Sequence, residues 1–240
     1  MAHTRISSKA NLAERTSAPA TEAVEDYLKG IYALQHQERR AVTTSALAER
    51  LGVAPSSVTA MLKRLDELQL VRYEPYHGVT LTAPGERVAL EVIRHHRLLE
   101  AFLADALEMP WDRVHDEAEV LEHYISEDLE RRIAEKLGNP SLDPHGDPIP
   151  TPELAMAADR TTALARLAAG DVATFSRVSD SDPEMLRYLA KRGIRPGARL
   201  RVTDVQPFGG PVFVEVEGRV HALGGELAEK MRVEPVGVKA

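Results

Sequence analysis

The chain has 240 residues, 43% of them apolar, which is enough for a real core and for two or three small domains. It contains no cysteine, which excludes disulfides, thiolate metal sites and dithiol redox chemistry and fits the reducing cytoplasm. No stretch has the apolar core of a signal peptide or the length of a membrane span, and the net charge of −7 is uneven: the acid is concentrated in residues 84–160, while the two ends are near neutral or slightly basic.

Residues 1–21 are rich in Ser, Thr and Ala and read as a flexible leader. From Glu22, "EAVEDYLKGIYALQHQ" puts Val24, Tyr27, Leu28, Ile31 and Leu34 on one face of an amphipathic helix. In "VTTSALAERLGVAPSSVTAMLKRLDELQLV", Thr44 or Ser45 can cap a short helix, Ala46 to Leu51. Gly52 turns the chain, and Pro55 opens a second helix with Val58, Met61, Leu62 and Leu65 on its buried stripe. "LVRYEPYHGVTLTAPGE" then reads as strand, turn at His77-Gly78 and strand, a wing. Together these parts make a winged helix-turn-helix over 22–84. Its reading residues are Ser56, Ser57, Thr59, Ala60 and Lys63, with Arg64 and Arg72 toward phosphates. The plainer alternative is that the serines only cap the helix and the unit binds another protein.

A long helix follows Pro84, with Val88, Val92, His96, Leu99 and Leu103 at helical spacing and His96 and Glu100 one turn apart. The next segment contains "VHDEAEVLEHYIS", which has no Lys or Arg among its acids and is predicted to run as one helix over 113–137. His115, Glu119, Glu122 and His123 fall on a single stripe of it. Like charges one turn apart repel, so the stripe is either a solvated acidic face or a hard N/O ligand set for Mn, Fe, Co or Zn. Its apolar Val120, Leu121, Ile125, Leu129 and Ile133 serve either a dimer contact, together with the preceding helix, or the core of one subunit. This helical dimerisation and metal-binding domain is expected to span 85–150. Within the Pro- and Gly-rich stretch that begins at 138, "DPHGDPIP" reads as a rigid loop, the alternative being a binding segment in its own right, and 151–170 is a linker. From 171 to 240, short alternating strands and the helix "PEMLRYLAKRG" indicate a five-stranded SH3-like barrel, too poor in aromatics to be a base-stacking platform.

These parts, in this order, resemble the diphtheria toxin repressor family of metal-dependent transcriptional regulators. The most specific pieces are "VEDYLKGIY", "APSSVTAMLKRL", "VTLTAPGE", "HHRLLEAFL", "VHDEAEVLEHYIS" and "DPHGDPIP". "LRYLAKRGIRPGARLRV" and "FGGPVFVEV" are similar to the small barrel of ferrous-iron transport accessory proteins. The resemblance implies a cytoplasmic homodimer that binds Mn²⁺ or Fe²⁺ and then an inverted-repeat operator, repressing metal-homeostasis genes without enzymatic activity. It implies a primary metal site of Asp26, Glu119, Glu122 and His123 and a second site of His96, Glu100 and His115. Iron sensors of the family carry Met and Cys where Asp26 and Glu119 stand, so the carboxylates point to Mn²⁺ first. Lys29 replaces a carboxylate of the manganese sensors, which counts against their closely spaced two-ion arrangement, and no barrel ligand is recognised around Thr174 to Arg177. Two other readings use the same residues: a winged-helix regulator answering an organic effector or protein partner, and a metallohydrolase, against which stands the lack of an H-E-x-x-H pattern.

Overall fold

The computed structural model describes residues 22–38 and 41–236. The leader expected over 1–21 lies outside the described residues. Two compact units divide at Ala89 and Leu90.

In the first unit, α1 (Glu22–Glu38) buries Val24, Tyr27, Leu28, Ile31 and Leu34. A side chain at Gly30 would stand 3.2 Å from Leu47, so glycine lets α1 pack closely on α2 (Thr44–Leu51). The helix-turn-helix forms for local reasons. Thr43, rather than Thr44 or Ser45, caps α2, its side chain accepting from Ala46 N at 3.1 Å. Gly52 ends α2 at φ 64, and Pro55 starts α3 (Pro55–Glu67), which buries Val58, Leu62 and Leu65 while Met61 is only half-buried. The wing is β1 (Val71–Glu74) against β2 (Gly78–Leu81), with Val71 opposite Leu81 and Glu74 opposite Gly78. A bridge from Val42 to Val79 fastens it to the segment before α2.

The division falls within α4 (Ala83–Ala106). Beyond it, the single helix expected over 113–137 is two: α5 (Val114–Leu121) and α6 (Glu127–Lys136). Apolar periodicity runs straight through the break, but polar groups cut it. Ser126 caps α6, accepting from Leu129 N, and the His95 ring on α4 bonds the Glu122 carbonyl at 3.1 Å. Ile125 and Ile133 then fall into a core with Leu98, Leu99, Ala118 and Ile149. Val120, Leu121 and Leu129 stay exposed.

The last part is a six-stranded antiparallel sheet rather than five strands, in the order β3-β8-β4-β5-β6-β7. Its strands are β3 (Thr162–Ala163), β4 (Val172–Arg177), β5 (Arg199–Val205), β6 (Val212–Val216), β7 (Arg219–Leu223) and β8 (Arg232–Pro235). The extra strand is β3, only two residues long and paired with β8, too short to leave an alternating pattern. Helices α7 (Pro183–Ala190) and α8 (Gly225–Lys230) close over a core of Phe175, Leu186, Leu189, Leu200, Val214 and Met231, which Trp111 joins from the loop before α5. Residues 141–150 are a built loop rather than part of a linker: Asp143, His145, Gly146, Ile149 and Pro150 are buried, and Leu142 bridges Pro148.

Candidate metal centre and DNA-reading surface

Within the second unit, three chain segments bring imidazoles and carboxylates to a common place. From α4 come His96 and Glu100, one turn apart and both buried. From α5 and the turn after it come His115, Glu119, Glu122 and His123. Asp180, just after β4, comes from the sheet domain.

His96 sits between two ligand sets. Its Nδ1 lies 2.5 Å from Glu122 Oε2 and 3.7 Å from Glu119 Oε1, while its Nε2 lies 3.1 Å from Glu100 Oε1 and 3.2 Å from His115 Nδ1. His115 Nδ1 also reaches Asp180 Oδ2 at 3.2 Å and Glu100 Oε1 at 3.5 Å. His123 Nε2 lies 3.7 Å from Glu122 Oε1. One donor atom from each of His96, Glu100, His115 and Asp180 falls within 4.8 Å of the others, and the same holds for His96, Glu119 and Glu122. Of the expected residues, the fold therefore gathers His96, Glu100 and His115 on one side and Glu119 and Glu122 on the other, with His123 beside Glu122. Asp26 stands half-buried on α1, in the first unit.

The electrostatics suit a cation. A buried carboxylate is costly unless opposite charge meets it, and Glu100, fully buried, is met by histidines. Burial alone would raise its carboxyl, but His115, His145 and His96 hold it well below the usual carboxylate range. Burial likewise opposes charge on His115, yet Asp180 and Glu100 push it up to about 10. Protons carried by His115 and His145 balance these ionised acids, and a divalent ion would offer the same compensation at the same donor atoms. The donors are all nitrogen and oxygen, a set that fits Mn²⁺, Fe²⁺ or Zn²⁺.

Asp180, Asp143 and His145 escaped the sequence reading. Asp180 lies three residues past the barrel segment searched, in "VSDSDPEML", where it looks like one more acid leading into a helix. His145 stands in the quoted "DPHGDPIP", whose Pro and Gly content signals only a turn.

On α3, Ser56, Ser57, Ala60, Lys63 and Arg64 are exposed on one surface. Thr59 is half-buried and donates its hydroxyl hydrogen to the Pro55 carbonyl at 3.0 Å, so what it offers outward is chiefly its methyl group.

Residues 20–79 match the family description "Iron dependent repressor, N-terminal DNA binding domain". Residues 82–151 match "Iron dependent repressor, metal binding and dimerisation domain", and 162–235 match the "FeoA domain". The iron-dependent repressor IdeR of Mycobacterium tuberculosis is 32% identical over 228 residues, covering 90% of this chain and 98% of its own. The diphtheria toxin repressor of Corynebacterium efficiens is 30% identical over 225 residues, covering 90% and 96%. Among solved structures, a manganese-dependent transcriptional repressor in complex with manganese matches with a TM-score of 0.83 at 42% identity, covering 89% of this chain and 100% of that one. ScaR with bound Zn²⁺ matches at 0.75 with 30% identity, covering 89% and 99%.

Proposed function

The chain belongs to the diphtheria toxin repressor family of metal-dependent, DNA-binding transcriptional repressors, and from that premise we propose that it senses Mn²⁺ and grips an inverted-repeat operator as a homodimer. It is not an enzyme. The observation that carries the metal reading is the all-N/O set of acids and imidazoles around His96, with no sulfur donor among them. A solved manganese-dependent relative at 42% identity favours the same ion.

Glu119, Glu122 and His123, with Asp26 from the first unit, hold the primary ion. His96, Glu100 and His115 hold the second, and Asp180 joins them from the sheet domain. When bound, the ions supply positive charge that relieves repulsion among these acids. Asp26 precedes the reading head in sequence, and its partner ligands follow the wing. Ser56, Ser57, Thr59 and Ala60 then meet base edges in the major groove, while Lys63 and Arg64 meet phosphates. Half-sites one turn apart require the two recognition helices to stand about 34 Å apart, and a bound ion acts by favouring the state that meets this spacing.

The test is an operator titration with Glu122→Ala and His123→Ala at saturating Mn²⁺. Loss of metal-dependent binding supports the primary site. Binding as tight and as metal-dependent as wild type refutes it.

A further inference from the structure

α5 has only eight residues, and a helix that short is marginal without tertiary support. Its buried Val114 and Ala118 anchor the body of the helix. Its end carries Glu122 and His123, and there the regular ladder of backbone bonds stops. In an unbroken helix the amide of Ser126 would donate to the Glu122 carbonyl. Here Ser126 is extended, with φ −88 and ψ 156, and begins α6. The Glu122 carbonyl accepts instead from His95 Nδ1 at 3.1 Å, a histidine satisfying the last carbonyls of a helix.

His95 is buried on α4, and its ring spans the break. While Nδ1 holds the end of α5, Nε2 meets Glu130 Oε2, in the first turn of α6, at 3.1 Å. Both oxygens only accept, so the ring donates through each nitrogen. Glu130 is fixed in turn. Arg94 Nε donates to its Oε1 at 2.5 Å, and Arg94 Nη1 donates to the Pro150 carbonyl at 2.6 Å. His96, the next residue of α4, meets the far end of Glu122, its Nδ1 lying 2.5 Å from Oε2. Consecutive histidines therefore grip one glutamate, His95 by the carbonyl and His96 by the carboxylate.

We propose that His95 is a positioning residue for the primary ion: by tying the end of α5 to the start of α6 it fixes where Glu122 and His123 stand, without touching the ion itself. The proposal rests on the primary-site reading above. Affinity for a metal depends on how firmly its ligands are held, and losing a supporting hydrogen bond costs roughly ten- to a hundredfold. A histidine that only filled the core would alter the melting temperature and leave that affinity alone.

The experiment is isothermal titration of Mn²⁺ into the full-length, metal-stripped chain, resolving the two sites. His95→Phe keeps a buried ring but donates nothing. His95→Asn places an amide N–H where Nδ1 stands, so it keeps the Glu122 contact and gives up Glu130. His95→Phe is expected to weaken the primary site at least about tenfold and to leave the second site unchanged. His95→Asn is expected to recover most of that loss, and metal-free melting curves check that both variants fold. Wild-type primary affinity in His95→Phe overturns the proposal. So does equal weakening of both sites, or an equal loss in the two variants. Glu122→Ala separates the two readings. No loss there sinks the primary site and the positioning with it, whereas a loss there with none in His95→Phe sinks the positioning alone.

Discussion

At Asp180 the sheet domain reaches the second-site cluster, Oδ2 meeting His115 Nδ1 at 3.2 Å. Burial opposes its charge, but His115 outweighs that and holds its carboxyl low. Asp180→Asn keeps the shape and removes the charge, so the second site is expected to bind Mn²⁺ at least about tenfold more weakly while Glu122 and His123 keep the primary site filled. Isothermal titration resolving the two sites checks this, and unchanged affinities at both would remove Asp180 from the ligand set. The sequence made His96, Glu100 and His115 legible because each lies at helical spacing from another candidate. Asp143, His145 and Asp180 were not legible, since loops and a strand end deliver them and no periodicity marks such positions.

Elements show the same division. The winged helix was readable because its signals are local: a Gly at the turn, a Pro at the start of α3, and apolar stripes at period 3.6. The break between α5 and α6 was hidden because the Ser126 cap lies inside an unbroken apolar periodicity and its second polar contact, His95 to the Glu122 carbonyl, comes from a distant helix. That ring also bonds Glu130 on α6 at 3.1 Å, and Arg94 Nε donates to the same carboxylate at 2.5 Å. Burial works against the Glu130 charge, but His95 and Arg94 hold its carboxyl below the usual range. A depressed folded pKa contributes stability above the unfolded value near 4.5, which fades as pH falls through the folded value. Glu130→Gln is therefore expected to cost roughly 1–3 kcal/mol at pH 7, by stranding buried Arg94 and His95, and much less near pH 3. Urea melts at both pH values measure it, and a cost that does not change with pH contradicts the pairing. On α3, the exposed Lys63 is assigned to phosphate. Lys63→Ala is expected to lower the salt slope of DNA binding by about one unit across operator sequences. An unchanged slope takes it off the backbone.

For the whole molecule, the apolar residues of α5 and α6 divide between two tasks. Ile125 and Ile133 are core, whereas Val120 is 64% exposed, Tyr124 70% and Leu129 46%. Exposed apolar residues grouped in this way mark an association surface, and a dimerisation domain is matched over these residues. The double substitution Val120→Glu with Leu129→Glu is expected to give a folded monomer by sedimentation, and a dimer that persists moves the interface elsewhere. Under the proposed function, dimerisation and metal binding both serve the grip on DNA. If so, metal and DNA are coupled ligands, and each must change the affinity of the other by the same factor. The most direct measurement is the Mn²⁺ dissociation constant of the free protein against that of the operator complex. The account predicts tightening of at least about tenfold in the complex, equal to the gain in operator affinity that Mn²⁺ brings. Identical Mn²⁺ affinities with and without operator would contradict it.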